Sequence, residues 1–366
     1  VDLVLLSLVF AMVIFGLIMV YSSSFIYAQE RTGDGFAFIK KQLIFASMGF
    51  GAMFCAIRIP FRKWADWAYP VAGITIAMLA LVLIPHVGTR VLGAQRWLKL
   101  GPISVQPSEI AKFAMILFVA YQLEKKTPNI RRFVPGVVAT FIIPAPALVL
   151  LLLQPDFGSA VMLTVVIFIM MFLAGVPKRF LGGIAGIGGF GAAALVLGST
   201  YRRARLMTFL DPWKDPLGKG FQVLQSMLGV HNGSLFGVGL GNGKEKLFYL
   251  PEAHNDFIFA VIGEELGFIG VIAVILAYCF FIYRGLKIAS DCWELRHDRF
   301  GSLAATGITL ALGLQGFVNM AVVLGLLPTK GLTLPFISYG GSALVVDLFA
   351  IGILLNISKG SSGNRA

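Results

Sequence analysis

Two places in the chain carry residues that could do acid–base chemistry. Glu109 and Lys112 are three apart, so they share a helix face. Both enter an apolar run, where ionisable groups are costly and usually paired. They read as a structural ion pair or as the floor of a substrate cavity. The second place is Asp256, which opens an apolar run after a basic stretch. A carboxylate there can serve the positive end of a helix. It can equally act as a base facing a basic cleft. Spacing alone leaves both pairs of readings open.

Cations that could hold an anionic ligand come from three segments. Arg96 and Trp97 lie in the run 93–101 (GAQRWLKLG), just before Gln106, Pro107 and Ser108. Trp97 also suits an interfacial anchor. The stretch 201–255 holds Arg202, Arg203, Arg205, Lys214, Lys219, Lys244 and Lys246, and Lys330 sits alone between Pro328 and Gly331. Singly, such side chains suit lipid headgroups. As a set they point to an anionic ligand. Asp156, in the turn 154–158 (QPDFG), reads best as a helix cap. His254 has no partner at ligand spacing, so no metal site is read. Hydrolase elbow, zinc, P-loop and Asp-x-Asp motifs are absent from the sequence. The glycines of 182–191 suggest close helix packing. Those of 237–243 suggest a flexible outer loop whose bare amides could approach a phosphate.

The elements that position these residues follow from composition. Of 366 residues, 57% are hydrophobic and 13% charged, which is too little charge to cover a soluble surface. Soluble enzymes, disulfide scaffolds and disordered chains are excluded. An all-α polytopic membrane protein remains, read as a single domain over 1–366. Ten apolar runs are long enough to span: 3–24, 39–57, 68–85, 109–124, 134–153, 158–175, 181–199, 256–283, 302–324 and 335–357. The first is too long for a signal-peptide core; a cytoplasmic tail before it is left open. With the N-terminus inside, short inner loops and tail hold 15 Lys and Arg against 7 outside. That asymmetry places both termini in the cytoplasm and the long loop 201–255 outside, between spans 7 and 8. A net charge of +12 then reflects anionic lipid or substrate rather than nucleic acid. Cys55 and Cys279 sit in apolar runs and Cys292 in a short polar loop, without disulfide or metal spacing.

Four motifs in order resemble the SEDS family (shape, elongation, division and sporulation) of bacterial peptidoglycan glycosyltransferases. They are Arg96-Trp97 followed by 106–109 (QPSE), then 250–257 (LPEAHNDF), then 328–331 (PTKG), then 332–342 (LTLPFISYGGS). Residues 328–331 and 248–251 (FYLP) look more like the division branch than the elongation branch; the sporulation branch is close. Asn255 departs from the usual Thr and leaves the acid in place.

The resemblance implies an inverting polymerase of lipid II on the outer face of the bacterial cytoplasmic membrane, at the division septum. Asp256 matches the family's essential acid. Candidate substrate contacts are Arg96, Trp97, Gln106, Ser108, Glu109, Lys112, Arg205, Lys246, Lys330 and Ser338. No cofactor is evident; a divalent cation (Mg or Mn) bridging Asp256 and diphosphate is compatible. The implied partners are a class B penicillin-binding transpeptidase and other division or elongation membrane proteins. The competing readings are a lipid II flippase, a scaffold for the transpeptidase and an elongation-type polymerase.

Overall fold

The computed structural model describes residues 1–91, 94–101, 103–216, 218, 220–246, 250, 253–329 and 331–362. Helices α1 (Leu3–Thr32), α2 (Ala37–Arg58), α3 (Arg62–Asp66) and α4 (Ala68–Leu83) come first. Strands β1 (Gly88–Val91), β2 (Ala94–Leu100) and β3 (Ile103–Val105) form an antiparallel sheet in that order, and α5 (Pro107–Lys125) follows. A π-helical turn over Val134–Val138 leads through α6 (Ala139–Phe141) to α7 (Pro144–Leu153). Then come α8 (Phe157–Leu173), α9 (Lys178–Leu197), α10 (Thr200–Leu210) and α11 (Phe221–Asn232). Last are α12 (Ile258–Arg296), α13 (Arg299–Val323) and α14 (Ser342–Ser362).

The chain is predominantly helical, and all ten apolar runs fall on helices. Five helical stretches are long and apolar enough to cross a membrane by length and composition. In α13 and α14, 72% and 78% of the most apolar window is buried within the protein, against 33% in α12. So α13 and α14 sit at the centre, with α12 packed on α13 and α2 on α14. Carboxylates cap several helices. Asp2 accepts from the Leu5 N–H (2.9 Å) and also pairs with Arg284 on α12. Asp298 accepts from the Gly301 N–H (2.8 Å) while bridging to Arg62 (2.9 Å). Asp156 caps α8 through the Ser159 N–H (3.3 Å), as its position in the turn suggested.

Several expectations need correction. The chain is not wholly helical: the sheet β1–β3 occupies the segment before α5, where Gly88 pairs with Leu98 and Leu98 with Val105. The stretch 201–255 is not a bare loop, since α11 and most of α10 lie in it. Cys292 is not in a polar loop but buried in α12, which runs on to Arg296. The glycines at 182, 183, 186, 188, 189 and 191 do not mediate close packing within the chain, because an added Cβ at each would meet nothing within 4 Å.

The eighth apolar run is broken. At Gly267 (φ 66°, ψ −163°) α12 divides into two helices. The segment 234–239 fills the break. The N–H groups of Val238 and Gly239 donate to the carbonyls of Glu264 and Glu265 (3.0 Å each), and those of Phe268 and Ile269 donate to Ser234 and Leu235 (2.9 and 3.3 Å). Away from water, backbone groups freed by a break must find such partners. A Cβ on Gly237 would stand 2.1 Å from the Glu265 carbonyl oxygen. The expected flexible loop is therefore, at its start, a fitted plug. Its amides at 238 and 239 serve the helix break rather than a phosphate.

The last run also starts later than its hydropathy suggests. Pro335 cannot donate, Phe336 has φ 69° and Gly341 φ 51°, so regular helix begins only at Ser342. The carbonyls of this irregular segment are met by side chains. Gln42 donates to Ser338 (3.2 Å), Gln315 to Thr333 (3.1 Å), Asn319 to Leu332 (2.6 Å), and the Tyr278 hydroxyl to Pro335.

Candidate active site

Asp256 lies in the turn 253–257 that leads into α12, one residue before the helix-adjacent Phe257. Two bonds pin this turn. The Tyr339 N–H donates to the His254 carbonyl (3.0 Å), and the Asn319 amide on α13 donates to the Asp256 carbonyl (2.7 Å). The same Asn319 nitrogen donates to the Leu332 carbonyl, so one side chain joins the Asp256 turn to the signature segment. The outcome is that an Asp256 carboxylate oxygen stands 2.9 Å from where a Cβ on Gly331 would lie. Lys330 directly precedes Gly331 but lies outside the described residues.

The His254 ring packs among Phe38, Tyr27 and Tyr339, with centroids 4.7, 5.3 and 5.7 Å away. Burial, then the nearby Arg31 charge, push the imidazole down to about 4. His254 is thus neutral at physiological pH and adds no cation beside Asp256.

Glu109 and Lys112 do pair. Pro107 begins α5, where a missing N–H costs nothing, and the next turn brings the two side chains to 2.8 Å. The Lys112 ammonium also donates to Gln315 (2.7 Å) and stands 3.6 Å from Asp347 on α14. Ser108, Glu109, Lys112, Ser159, Gln315 and Leu332 line a cavity of about 10 Å³. That is room for little more than one water. Leu332 therefore belongs to both places: its side chain faces this cluster and its carbonyl is held by Asn319.

The remaining candidates are placed elsewhere. On β2, the Arg96 guanidinium donates to the carbonyls of Gln154 (3.2 Å) and Pro155 (2.5 Å), clamping the α7–α8 turn; Trp97 is half-buried opposite Thr89. Gln106 donates to the Ser108 hydroxyl (2.9 Å), and its N–H reaches the Ser342 hydroxyl (3.4 Å) at the start of α14. Ser338 is 3% exposed, and its hydroxyl accepts from the Leu334 N–H (2.8 Å). That bond closes a turn of the signature, so Ser338 shapes the segment. Lys246 is also buried, paired with Glu265 (2.7 Å), and both bond Ser22 of α1. Its ammonium is thus engaged inside the protein. The Arg205 side chain lies outside the described residues.

Sequence reasoning missed Asp347 and Gln315. Asp347 is a lone carboxylate in the apolar stretch of α14, and Gln315 and Asn319 are polar residues at i and i+4 within α13. A polar residue at such depth is a signal in itself. Asn319 carries that signal too, but its bond to the Asp256 carbonyl depends on a chain crossing that no spacing reveals.

The fold and these motifs define a multi-pass membrane protein with a carboxylate set beside the signature segment, and the chain belongs to the Cell cycle protein family of FtsW, RodA and SpoVE, matched over residues 2–363. It is 45% identical over 362 residues to the "Probable peptidoglycan glycosyltransferase FtsW" of Geobacter metallireducens, covering 99% of this chain and 96% of that one. It is 42% identical to the "Stage V sporulation protein E" of Bacillus subtilis, covering 98% and 97%. A solved structure described as "Structural coordination of polymerization and crosslinking by a peptidoglycan synthase complex" is similar with TM-score 0.80 and 32% identity, covering 99% of both chains. The crystal structure of Thermus thermophilus RodA is similar with TM-score 0.72 and 29% identity, covering 99% and 98%.

Proposed function

We propose that this chain is a peptidoglycan glycosyltransferase that polymerises lipid II into β-1,4 glycan on the outer face of the cytoplasmic membrane, serving septal synthesis. The observation that carries the reading is the Asp256 carboxylate held against Gly331, the residue that follows Lys330 in the sequence. Full-length relatives at 45% identity named as this enzyme support the activity, and the RodA likeness at 29% makes the division branch the nearer one.

In the reaction, the acceptor hydroxyl attacks the anomeric carbon of the donor sugar. Asp256 takes the hydroxyl proton. The new glycosidic bond forms as the bond to the undecaprenyl diphosphate oxygen breaks, with inversion at that carbon. The leaving diphosphate needs no proton, but its charge needs cations. Lys330 is the nearest in sequence to Gly331, and Arg205 supplies charge from the long segment. Arg96 and Trp97 on β2, and Gln106, Ser108, Glu109 and Lys112 at the start of α5, are taken as contacts for parts of the substrate away from Asp256. Among the described residues no three metal-ligating side chains converge. Asp256 would be the residue to hold a divalent cation, which would supply charge to offset the leaving diphosphate.

Ten spans, both termini in the cytoplasm and the 201–255 segment outside complete the reading. Residues that the flippase reading would use as a polar path, Glu109, Lys112, Glu264 and Glu265, are buried in bonds of their own, which favours chemistry over transport. The partner is a class B penicillin-binding transpeptidase. Purified protein with that partner, in detergent with labelled lipid II, should form glycan chains. Chains formed without a two-sided membrane support the polymerase; none, with transport in vesicles, supports the flippase.

A further inference from the structure

The non-helical segment 331–341 needs outside donors for its carbonyls, and α13 supplies two of them in consecutive turns. Gln315 donates to Thr333, and Asn319, four residues on, donates to Leu332 and to Asp256. Asn319 is 2% exposed. Its nitrogen holds both carbonyls at 2.6 and 2.7 Å, while its oxygen has no partner among the described residues. Turning the amide over would set that oxygen against two carbonyl oxygens, so the orientation is fixed by chemistry. The two carbonyls belong to different elements, the turn before α12 and the residue after Gly331.

We infer that Asn319 is a positioning residue for the glycosyl transfer. By clasping the Asp256 and Leu332 carbonyls with one amide, it sets the place of the Asp256 carboxylate relative to Gly331. Its partner rung, Gln315, links the same segment to Lys112, so the buried Glu109–Lys112–Asp347 cluster backs the clasp. The inference rests on the catalytic reading of Asp256. Replacing Asn319 by an apolar residue frees the two elements to separate. A general base misplaced by about 1 Å can lose on the order of 10²-fold in rate. A carboxylate moved from its native surroundings also titrates at a different pH.

The test is Asn319→Leu in the full chain with its partner, assayed on labelled lipid II from acid to neutral pH. The expected result is a kcat about 10–100-fold lower at near-normal KM, with the acid limb of the pH profile displaced from its wild-type position. A merely structural residue would lower the folded fraction and leave the limb in place. Asn319→Ser, smaller and keeping one donor, is read in the same way where the Leu variant folds poorly. Wild-type kinetics, or losses that track folded protein with an unmoved acid limb, overturn the inference. Asp256→Asn measured in parallel separates the two failures: an active Asp256→Asn sinks the catalytic reading, whereas an inactive one beside a normal Asn319→Leu sinks only the clasp.

Discussion

An Asp256 carboxylate oxygen lies 2.9 Å from the position a Cβ on Gly331 would take. The neighbour is the far end of a side chain rather than backbone, so it can give way at little cost in stability. What it loses is its place. Gly331→Ala should therefore melt within about 2 °C of wild type yet polymerise about 10-fold more slowly or worse. Equal rates on lipid II would mean that the carboxylate need not stand where it does.

Lys112 faces Glu109, Gln315 and Asp347 in the protein interior. Removing the cation leaves two carboxylates without compensation. Lys112→Met should cost about 3–5 kcal/mol of stability. The exposed Lys40–Asp34 pair is the contrast: Lys40→Met should leave the melting temperature nearly unchanged. Detergent-state melting of the two variants side by side checks the difference, and equal shifts would contradict it.

Much of this was legible in the sequence, and the failures have common causes. Apolar runs located every long helix because length and hydropathy suffice for that. They misplaced the start of α14 and missed the break at Gly267, since both depend on backbone partners supplied by distant segments. Glu109 and Lys112 were found because helical spacing is local. Asp347 and Gln315 joined them across three helices, which one-dimensional spacing cannot register. Lys246 looked like a cation for a ligand because Glu265 and Ser22 meet it only in three dimensions.

Glu245 gives a pH dependence. Burial, with the Glu264 charge adding to it, raises its carboxyl to about 7 from an ordinary 4.5. A raised acid favours the folded state fully below the unfolded value, and that contribution is lost as pH rises through the folded one. Stability should thus fall between pH 4.5 and about 7 from this group. Glu245→Gln should flatten that part of the melting-temperature curve. An identical slope in the variant would assign it to other groups.

The topology predicts that Lys214, whose side chain is 81% exposed next to α10, faces the outside. A Lys214→Cys protein should react with an impermeant thiol reagent on intact cells whose outer envelope admits it. Reaction only after permeabilising the cytoplasmic membrane would reverse the orientation of the chain.

Asp256→Asn puts the central claim to its most direct measurement. Asn keeps the shape of the side chain, and it caps helices about as well as Asp. It cannot accept the acceptor's proton, and a general base contributes about 10²–10⁴-fold to rate. With wild-type expression, melting temperature and partner binding, the variant should make almost no polymer from labelled lipid II. Near-normal glycan chains from that protein would contradict the account and leave Asp256 a structural residue of the turn before α12.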